Sequence, residues 1–376
     1  INNSSNAVME LLWSSDQANC CYKNVHWSPD GTCVLAGLDD GRVELYEAAV
    51  DADNQFVLRK VFDVREPEIV YDYCWNPTMS SVDPSSCFFA TTGRDQPIHI
   101  WDAFTGSFKS SLSGKTDGDE LHPCLSIKMN RDGQTLYGGV KDGVFIFDIE
   151  REDCRFWNMH DKHGGDFWGL VSTIACQPGP DQGDLIAVGS YSGMVAVFDQ
   201  RSKTHLLTMS SHDRGVSVVK FSPCGMFLWS GGRCVGDILC WDIRYAQQPL
   251  HRLSREQYNN QRIDFDLDRS GRFVVAGDQN GRVVAYDVLE APILPSEDAT
   301  PEYWKTQVGP GDCCNGISLH PTAQFAVTSS GMRHFALDDE SLPEPPVDYC
   351  LRLWKIELDV ERTAQSTSAP LNNDLQ

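Results

Sequence analysis

The strongest constraint on the fold of this chain is a short pattern that recurs seven times along it. Each copy has an apolar strand, a turn with Pro, Asp or Gly, a strand of small residues, a second turn and a final apolar strand. The clearest copy spans residues 219–242 and ends on Trp241-Asp242. Every copy closes on an aromatic residue, and these are Tyr46, Trp101, Phe147, Phe198, Trp241, Tyr286 and Trp354. The chain is therefore built from repeated units.

The spacing of the copies identifies the unit. Successive closing aromatic residues lie 43 to 68 residues apart, and a four-stranded propeller blade has a period of about 40–45 residues, to which loop insertions add. Dipeptides such as Asp40-Gly41 and Asn280-Gly281 fall at one phase of the repeat and supply the positive φ of tight hairpins. Helical periodicity of useful length is absent. The sequence therefore predicts an all-β protein, a seven-bladed WD-repeat β-propeller.

The ends of the propeller follow from the need to pair every blade edge. Residues 8–13 alternate in polarity and precede the first complete repeat, so we expect them to form the outer strand of the last blade. The prediction is one propeller over residues 7–360. Residues 1–6 and 361–376 are polar and are expected to be flexible tails.

Composition limits the classes of function. The net charge is −22, so general binding to nucleic acid is disfavoured and any such site must be a local patch. No stretch approaches the roughly 20 apolar residues of a membrane helix, and the N-terminus does not resemble a signal peptide. The 14 cysteines include no CxxC pair and many lie in apolar strands, which favours free thiols in a reducing compartment and no zinc.

Signatures of catalysis are missing from the sequence. Residues 189–193 resemble a nucleophile elbow, but Tyr191 stands at the central position. Neither a phosphate-binding loop nor an HExxH motif occurs. His160 and His163 lie near Cys154 without a paired ligand, which is more typical of a solvated loop. We therefore predict no enzyme activity, no cofactor, no metal and no small-molecule substrate.

One face of the predicted propeller is relatively basic and aromatic. This face carries the turns between the second and third strands and the linkers that lead into each blade. The candidate RNA-binding residues there are Arg94, Lys141, Arg233, Arg262, Arg333, Tyr71, Tyr191 and Tyr258. Further basic or aromatic residues assigned to it are Arg42, Arg65, Lys162, Arg255 and Trp168. Such a surface can bind single-stranded RNA through phosphate contacts and base stacking, or its arginines can simply pair with aspartates of the turns.

Five segments carry a more specific resemblance. They are residues 69–75, 94–106, 239–244, 260–268 and 314–321. In order and spacing they resemble the telomerase Cajal body protein family of WD-repeat proteins, over nearly the whole chain. An acidic insertion at 338–348 is also similar to the family's.

The resemblance implies a function. It implies binding to the CAB box, a short single-stranded motif of H/ACA small Cajal body RNAs and of telomerase RNA. It also implies partnership with H/ACA core proteins such as dyskerin and with the telomerase reverse transcriptase complex. A protein of this kind would reside in the nucleus, in Cajal bodies and at telomeres, and would direct RNA particles to these sites.

Two other classes stay open on the residues alone. Arg244 and Arg201 each follow a closing aromatic-acid dipeptide, which is the adaptor-binding signature of substrate receptors of cullin-type ubiquitin ligases. A propeller that reads a basic peptide or a histone tail would instead use the acidic surface.

Overall fold

Seven antiparallel sheets of four strands make up the described part of the chain, which confirms the prediction of an all-β, seven-bladed propeller. The structure is a computed structural model that describes residues 9–114, 121–151, 153–159, 169–179, 184–210, 212–289, 304–334 and 347–358. The predicted tails, the predicted domain limits at 7 and 360, and His160, Lys162, His163 and Trp168 lie outside these residues. The domain limits therefore stay a prediction.

The blades follow one another along the chain. Blades 1 and 2 consist of β2 (Tyr22–Trp27), β3 (Cys33–Leu38), β4 (Arg42–Val50), β5 (Phe56–Arg65), β6 (Val70–Trp75), β7 (Phe88–Gly93), β8 (Ile98–Asp102) and β9 (Phe108–Leu112). Blades 3 and 4 consist of β10 (Ser126–Met129), β11 (Thr135–Val140), β12 (Gly143–Asp148), β13 (Asp153–Asn158), β14 (Val171–Cys176), β15 (Leu185–Ser190), β16 (Val195–Asp199) and β17 (His205–Met209).

The remaining blades repeat this order. Blades 5 and 6 consist of β18 (Val216–Phe221), β19 (Phe227–Gly232), β20 (Asp237–Asp242), β21 (His251–Ser254), β22 (Phe265–Leu267), β23 (Phe273–Gly277), β24 (Arg282–Asp287) and β25 (Trp304–Gln307). Blade 7 consists of β26 (Cys314–Leu319), β27 (Phe325–Ser330), β28 (Leu351–Ile356) and β1 (Met9–Ser14). A single turn of 3-10 helix spans Pro84–Ser86. None of the described segments forms a helix long and apolar enough to cross a membrane.

Blade 7 combines strands from both ends of the propeller. β1 pairs antiparallel with β28, with Leu11 opposite Trp354, and the register shifts between Leu11 and Trp13. This pairing gives β28 a neighbour on each side, so its backbone groups are not left open at a sheet edge.

The closing aromatic residues explain the sequence pattern. Most are buried between blades; Trp241 is 1% exposed and Tyr286 is 0% exposed. Three indole N–H groups each donate to a hydroxyl on the second strand of the same blade: Trp101 to Thr91, Trp241 to Ser230 and Trp354 to Thr328. A buried indole needs such a partner. The recurring aromatic residue therefore reflects packing and hydrogen bonding inside each blade.

The turns between second and third strands and the linkers between blades share one end of the ring, which we call the linker face. The described residues of its turns are 39–41, 94–97, 141–142, 191–194, 233–236, 278–281, 331–334 and 347–350. At Gly41 the φ angle is +87°, and an added Cβ would lie 2.8 Å from the carbonyl oxygen of Glu68, so both conformation and space require glycine. The other end of the ring is called the opposite face.

The first strand of each blade lines a central channel. Polar side chains on these strands accept hydrogen bonds from backbone N–H groups of the next blade. The Ile127 N–H donates to Asp72 at 3.0 Å, and the Val219 N–H donates to Thr173 at 3.2 Å. The channel wall is therefore polar and fixed from blade to blade.

Candidate nucleic-acid interface

On the linker face the channel opens into a cavity of about 660 Å³. Five of the predicted site residues contribute to its lining, namely Tyr71, Tyr191, Arg233, Arg262 and Arg333. Arg94, Lys141 and Tyr258 lie on the same face outside this lining. The topology therefore brings together side chains from five blades that are far apart in sequence.

Tyr191 and Arg233 form a stacked pair at the rim of the cavity. The guanidinium carbon of Arg233 lies 4.9 Å from the centre of the Tyr191 ring, within the range of a cation–π contact. The Arg233 Nε donates to the carbonyl oxygen of Asn260 at 2.9 Å. Tyr191 is 42% exposed. Within the described residues no carboxylate forms an ion pair with Arg233, so its charge and its terminal N–H groups are available to a ligand.

Local turns hold this pair in place. Tyr191 sits in the hairpin between β15 and β16, where Gly193 has a φ of +90° and its N–H donates to the carbonyl of Ser190. The Arg233 N–H donates to the carbonyl of Gly215 at 2.6 Å on the linker between blades 4 and 5. Each side chain is thus carried by a short, hydrogen-bonded turn, which keeps the pair ordered.

Arg262 reaches across the channel from the linker before blade 6 to blade 2. Its Nη1 lies 3.2 Å from Oδ1 of Asp72, and its side chain is 29% exposed. Burial opposes the charge of the guanidinium, but Asp72 and Asp264 outweigh that effect and raise the pKa of Arg262. Because Arg262 lines both this cavity and the one beneath it, the ion pair forms the floor of the upper cavity.

Other predicted cations already have partners. Arg333 pairs with Asp39, with Nη2 2.9 Å from Oδ1, and Arg42 pairs with Asp40 at 2.7 Å. Arg94 and Asp95 are both exposed, with 3.6 Å between their charged atoms. In the structure these rim arginines therefore pair with aspartates of the turns.

Arg255 does not belong to the surface, contrary to the prediction. It is 4% exposed, and its guanidinium donates to the carbonyl oxygens of Ile263 at 2.8 Å and Asp264 at 3.0 Å. Burial lowers the pKa of Arg255 to about 10. Its role is to tie the linker before blade 6 to the blade itself.

Two kinds of lining residue were missed at the sequence level. Lys23 borders the cavity, donates from Nζ to the carbonyl oxygen of Val70 at 2.8 Å, and has its pKa lowered by burial. The amides Asn259, Asn260, Gln261 and Asn315 also line it. Lys23 lies near the start of the innermost strand of its blade, where alternation would have directed attention to it.

A second cavity of about 430 Å³ occupies the channel below Arg262. There Lys220 lies 3.3 Å from Asp264 and 3.1 Å from Asp266. On the opposite face, Arg244 pairs with Asp242 at 2.7 Å and Arg201 with Asp184 at 2.5 Å. Among the described residues, His, Cys, Asp and Glu side chains form no grouping suited to a metal ion.

Comparison with known proteins relates this sequence to a family. The family described as WD domain, G-beta repeat matches residues 5–47. Telomerase Cajal body protein 1 of Mus musculus is 36% identical over 347 residues, covering 89% of this chain and 62% of the mouse protein. The Mesocricetus auratus protein of that name is 35% identical over 367 residues, covering 91% of this chain and 67% of its own length.

A protein of Drosophila melanogaster is similar as well. The Telomerase Cajal body protein 1 homolog of Drosophila melanogaster is 33% identical over 351 residues, covering 88% of this chain and 61% of the fly protein. The chain thus spans roughly six tenths of the length of the curated relatives it matches. Identity at this level over about nine tenths of the chain, together with the seven blades, leads to one conclusion: the chain belongs to the telomerase Cajal body protein family of WD-repeat proteins.

Proposed function

We propose that this chain is an RNA-binding scaffold that holds a short single-stranded RNA loop on its linker face. The observation that carries the proposal is the stacked pair of Tyr191 and Arg233, an exposed aromatic ring beside a cation without a carboxylate partner among the described residues. Stacking platforms next to arginine are how proteins hold unpaired bases and their phosphates.

Family membership supports the choice of RNA. The relatives are named for telomerase and for the Cajal body, so we take the ligand to be the CAB box of H/ACA small Cajal body RNAs and of telomerase RNA. In this role the chain directs such particles to Cajal bodies in the nucleus and telomerase to telomeres. Its partners there are H/ACA core proteins such as dyskerin and the telomerase reverse transcriptase complex, and it acts without catalysis.

The charge distribution supports a site that selects loops. The chain carries a net charge of −22, so a phosphate backbone is repelled from most of its surface. A single-stranded loop can present its bases to a small concave site, whereas the stacked bases of a duplex cannot enter it. We assign phosphate contacts to Arg233, Arg94 and Lys141, and base stacking to Tyr191, with Tyr71 and Tyr258 alongside it. Arg262 and Arg333, each paired with an aspartate, border the same site.

The test is binding of a CAB-box hairpin, measured by fluorescence anisotropy against the same hairpin with a scrambled loop. We expect the double variant Arg94→Glu/Arg233→Glu to bind at least tenfold more weakly than the unsubstituted chain. Arg269 is an exposed arginine in the turn between β22 and β23 on the opposite face, so Arg269→Glu is the matched control. Full affinity in the double variant, or equal binding of the scrambled loop, would reject the proposal.

The ligase receptor and the peptide reader, the two other classes, would give different results with the purified chain. An adaptor of a cullin-type ligase that co-purifies and is lost in Arg201→Ala/Arg244→Ala would identify a substrate receptor. Binding of a basic peptide without RNA would identify a peptide reader.

A further inference from the structure

We propose that the cavity at the channel mouth is a pocket for one unpaired nucleobase, which the RNA loop inserts beside Tyr191 and Arg233. This inference rests on the proposed function and specifies how the ligand is held. Three observations carry it: the size and floor of the cavity, the flat surfaces at its rim, and the chemistry of its inner wall.

The cavity is closed at its base. Its volume of about 660 Å³ lies within the range of about 300–1,000 Å³ that is typical of small-ligand pockets. The ion pair between Arg262 and Asp72 crosses the channel beneath it at 3.2 Å. The space therefore suits a base that enters from the linker face and meets this ion pair at its base.

The rim offers surfaces on which a base can stack. The ring of Tyr191 and the guanidinium of Arg233 lie 4.9 Å apart, measured from ring centre to guanidinium carbon. Unpaired RNA bases stack on aromatic rings and on guanidinium planes alike. The bond from the Arg233 Nε to the carbonyl oxygen of Asn260, at 2.9 Å, fixes the side chain and leaves its outer N–H groups free for the adjoining phosphate.

The inner wall carries several uncharged amides beside its cations. Asn259 Nδ2 donates to Gln261 Oε1 at 3.0 Å, and Gln261 Nε2 donates to the carbonyl oxygen of Gly331 at 3.3 Å. Asn315 is 2% exposed; its Nδ2 donates to the carbonyl oxygen of Tyr22 at 2.6 Å. Within the described residues its Oδ1 has no partner.

The amides of this wall suit the edge of a base. Asn and Gln amides present donors and acceptors together, which is how proteins pair with the edges of bases. Of the arginines in the lining, Arg262 and Arg333 are already paired with Asp72 and Asp39, which leaves Arg233 at the rim for a phosphate. The lining aspartate Asp39 is neutralised by Arg333, so it does not oppose entry. A base that shifts the wall slightly would bring its amino group to Asn315 Oδ1. That buried oxygen would then accept a hydrogen bond from the base.

The experiment is an abasic scan. Each loop nucleotide of a CAB-box hairpin is replaced in turn by an abasic residue, and affinity is measured for the unsubstituted chain and for Tyr191→Ala. We expect one position to dominate, with a loss of about 5- to 150-fold, the range that loss of one stacked base produces. In Tyr191→Ala that same position should no longer matter, whereas Tyr191→Phe should keep its sensitivity.

The controls separate the two proposals. Tyr245, 81% exposed between β20 and β21 on the opposite face, provides the control Tyr245→Ala, which should behave like the unsubstituted chain. A flat scan, or a dominant position that persists in Tyr191→Ala, would overturn the base pocket. If Arg94→Glu/Arg233→Glu still weakens binding in that case, RNA binding at this face stands. If that variant binds with full affinity, both proposals are wrong.

Discussion

Arg262 and Asp72 should behave as one energetic unit, and a double-mutant cycle would measure this. Arg262→Met alone leaves a carboxylate, which is 8% exposed as a side chain, without its cation. Asp72→Asn alone leaves a partly buried guanidinium whose Nε already has no partner among the described residues. In the combined variant neither charge remains, and the Asn side-chain oxygen can still accept the Ile127 N–H that Asp72 accepts at 3.0 Å.

The expected magnitude follows from the geometry. For charges 3.2 Å apart, Coulomb's law with an effective dielectric constant of 20 gives about 5 kcal/mol. The Arg262 side chain keeps 29% of its exposure, and water screening reduces this to a coupling of about 2–3 kcal/mol. Each single variant should therefore lose about 1.5 kcal/mol, because breaking a partly buried pair leaves one charge without its partner. The combined variant should lose less than about 1 kcal/mol, because replacing both partners of such a pair is often close to neutral.

Urea unfolding followed by tryptophan fluorescence gives the free energies, and the coupling is the difference between the combined loss and the sum of the single losses. Losses that add to within about 0.5 kcal/mol, as for independent sites, would refute the reasoning.

The same variants test the role of Arg262 at the interface. Because Asp72 already compensates its charge, the combined variant should bind the CAB-box hairpin within about threefold of the unsubstituted chain. A larger loss would make Arg262 a direct contact to RNA.

Three further predictions concern single residues. Arg233→Ala should lower the slope of log affinity against log salt by about 0.7 to 1, as expected for one phosphate contact, and anisotropy titrations at several salt concentrations measure it. Burial lowers the pKa of His212 to about 4, below its unfolded value near 6.5. The stability it contributes is therefore present above about pH 6.5 and is lost as the pH falls toward 4, by up to about 3 kcal/mol. Urea unfolding across that range should show the loss, and His212→Gln should diminish it. Gly41→Ala should destabilise the chain by about 1–3 kcal/mol because the φ of +87° is strained for alanine, and an unchanged melting temperature would contradict this.

The architecture could be predicted from the sequence because its determinants are local. Each closing aromatic residue lies one hairpin away from the strand it packs on, as Trp241 and Ser230 illustrate. The positions of Arg94, Lys141, Arg233 and Arg333 in turns between second and third strands also follow from the repeat alone. Their common face is a consequence of strand alternation within each blade.

The partner of each charged side chain could not be predicted in this way. Arg262 meets Asp72 across 190 positions of sequence, and Arg333 meets Asp39 across 294. These pairs depend on how blades oppose one another around the ring, which strand patterns do not encode. Arg255 was misplaced for a different reason. Its partners, the carbonyl oxygens of Ile263 and Asp264, lie only eight and nine residues away, but strand alternation does not determine whether a linker side chain points outward or into the adjoining blade.

The pairing of β1 with β28 has a consequence for the order of assembly. During synthesis Leu11 emerges from the ribosome long before Trp354, its partner in the finished sheet. Until β28 arrives, β1 is an unpaired strand with exposed apolar side chains, and such strands invite pairing with other chains. Closure of the ring thus cannot precede the synthesis of β28, and until then the backbone groups of β1 are open to pairing with other chains.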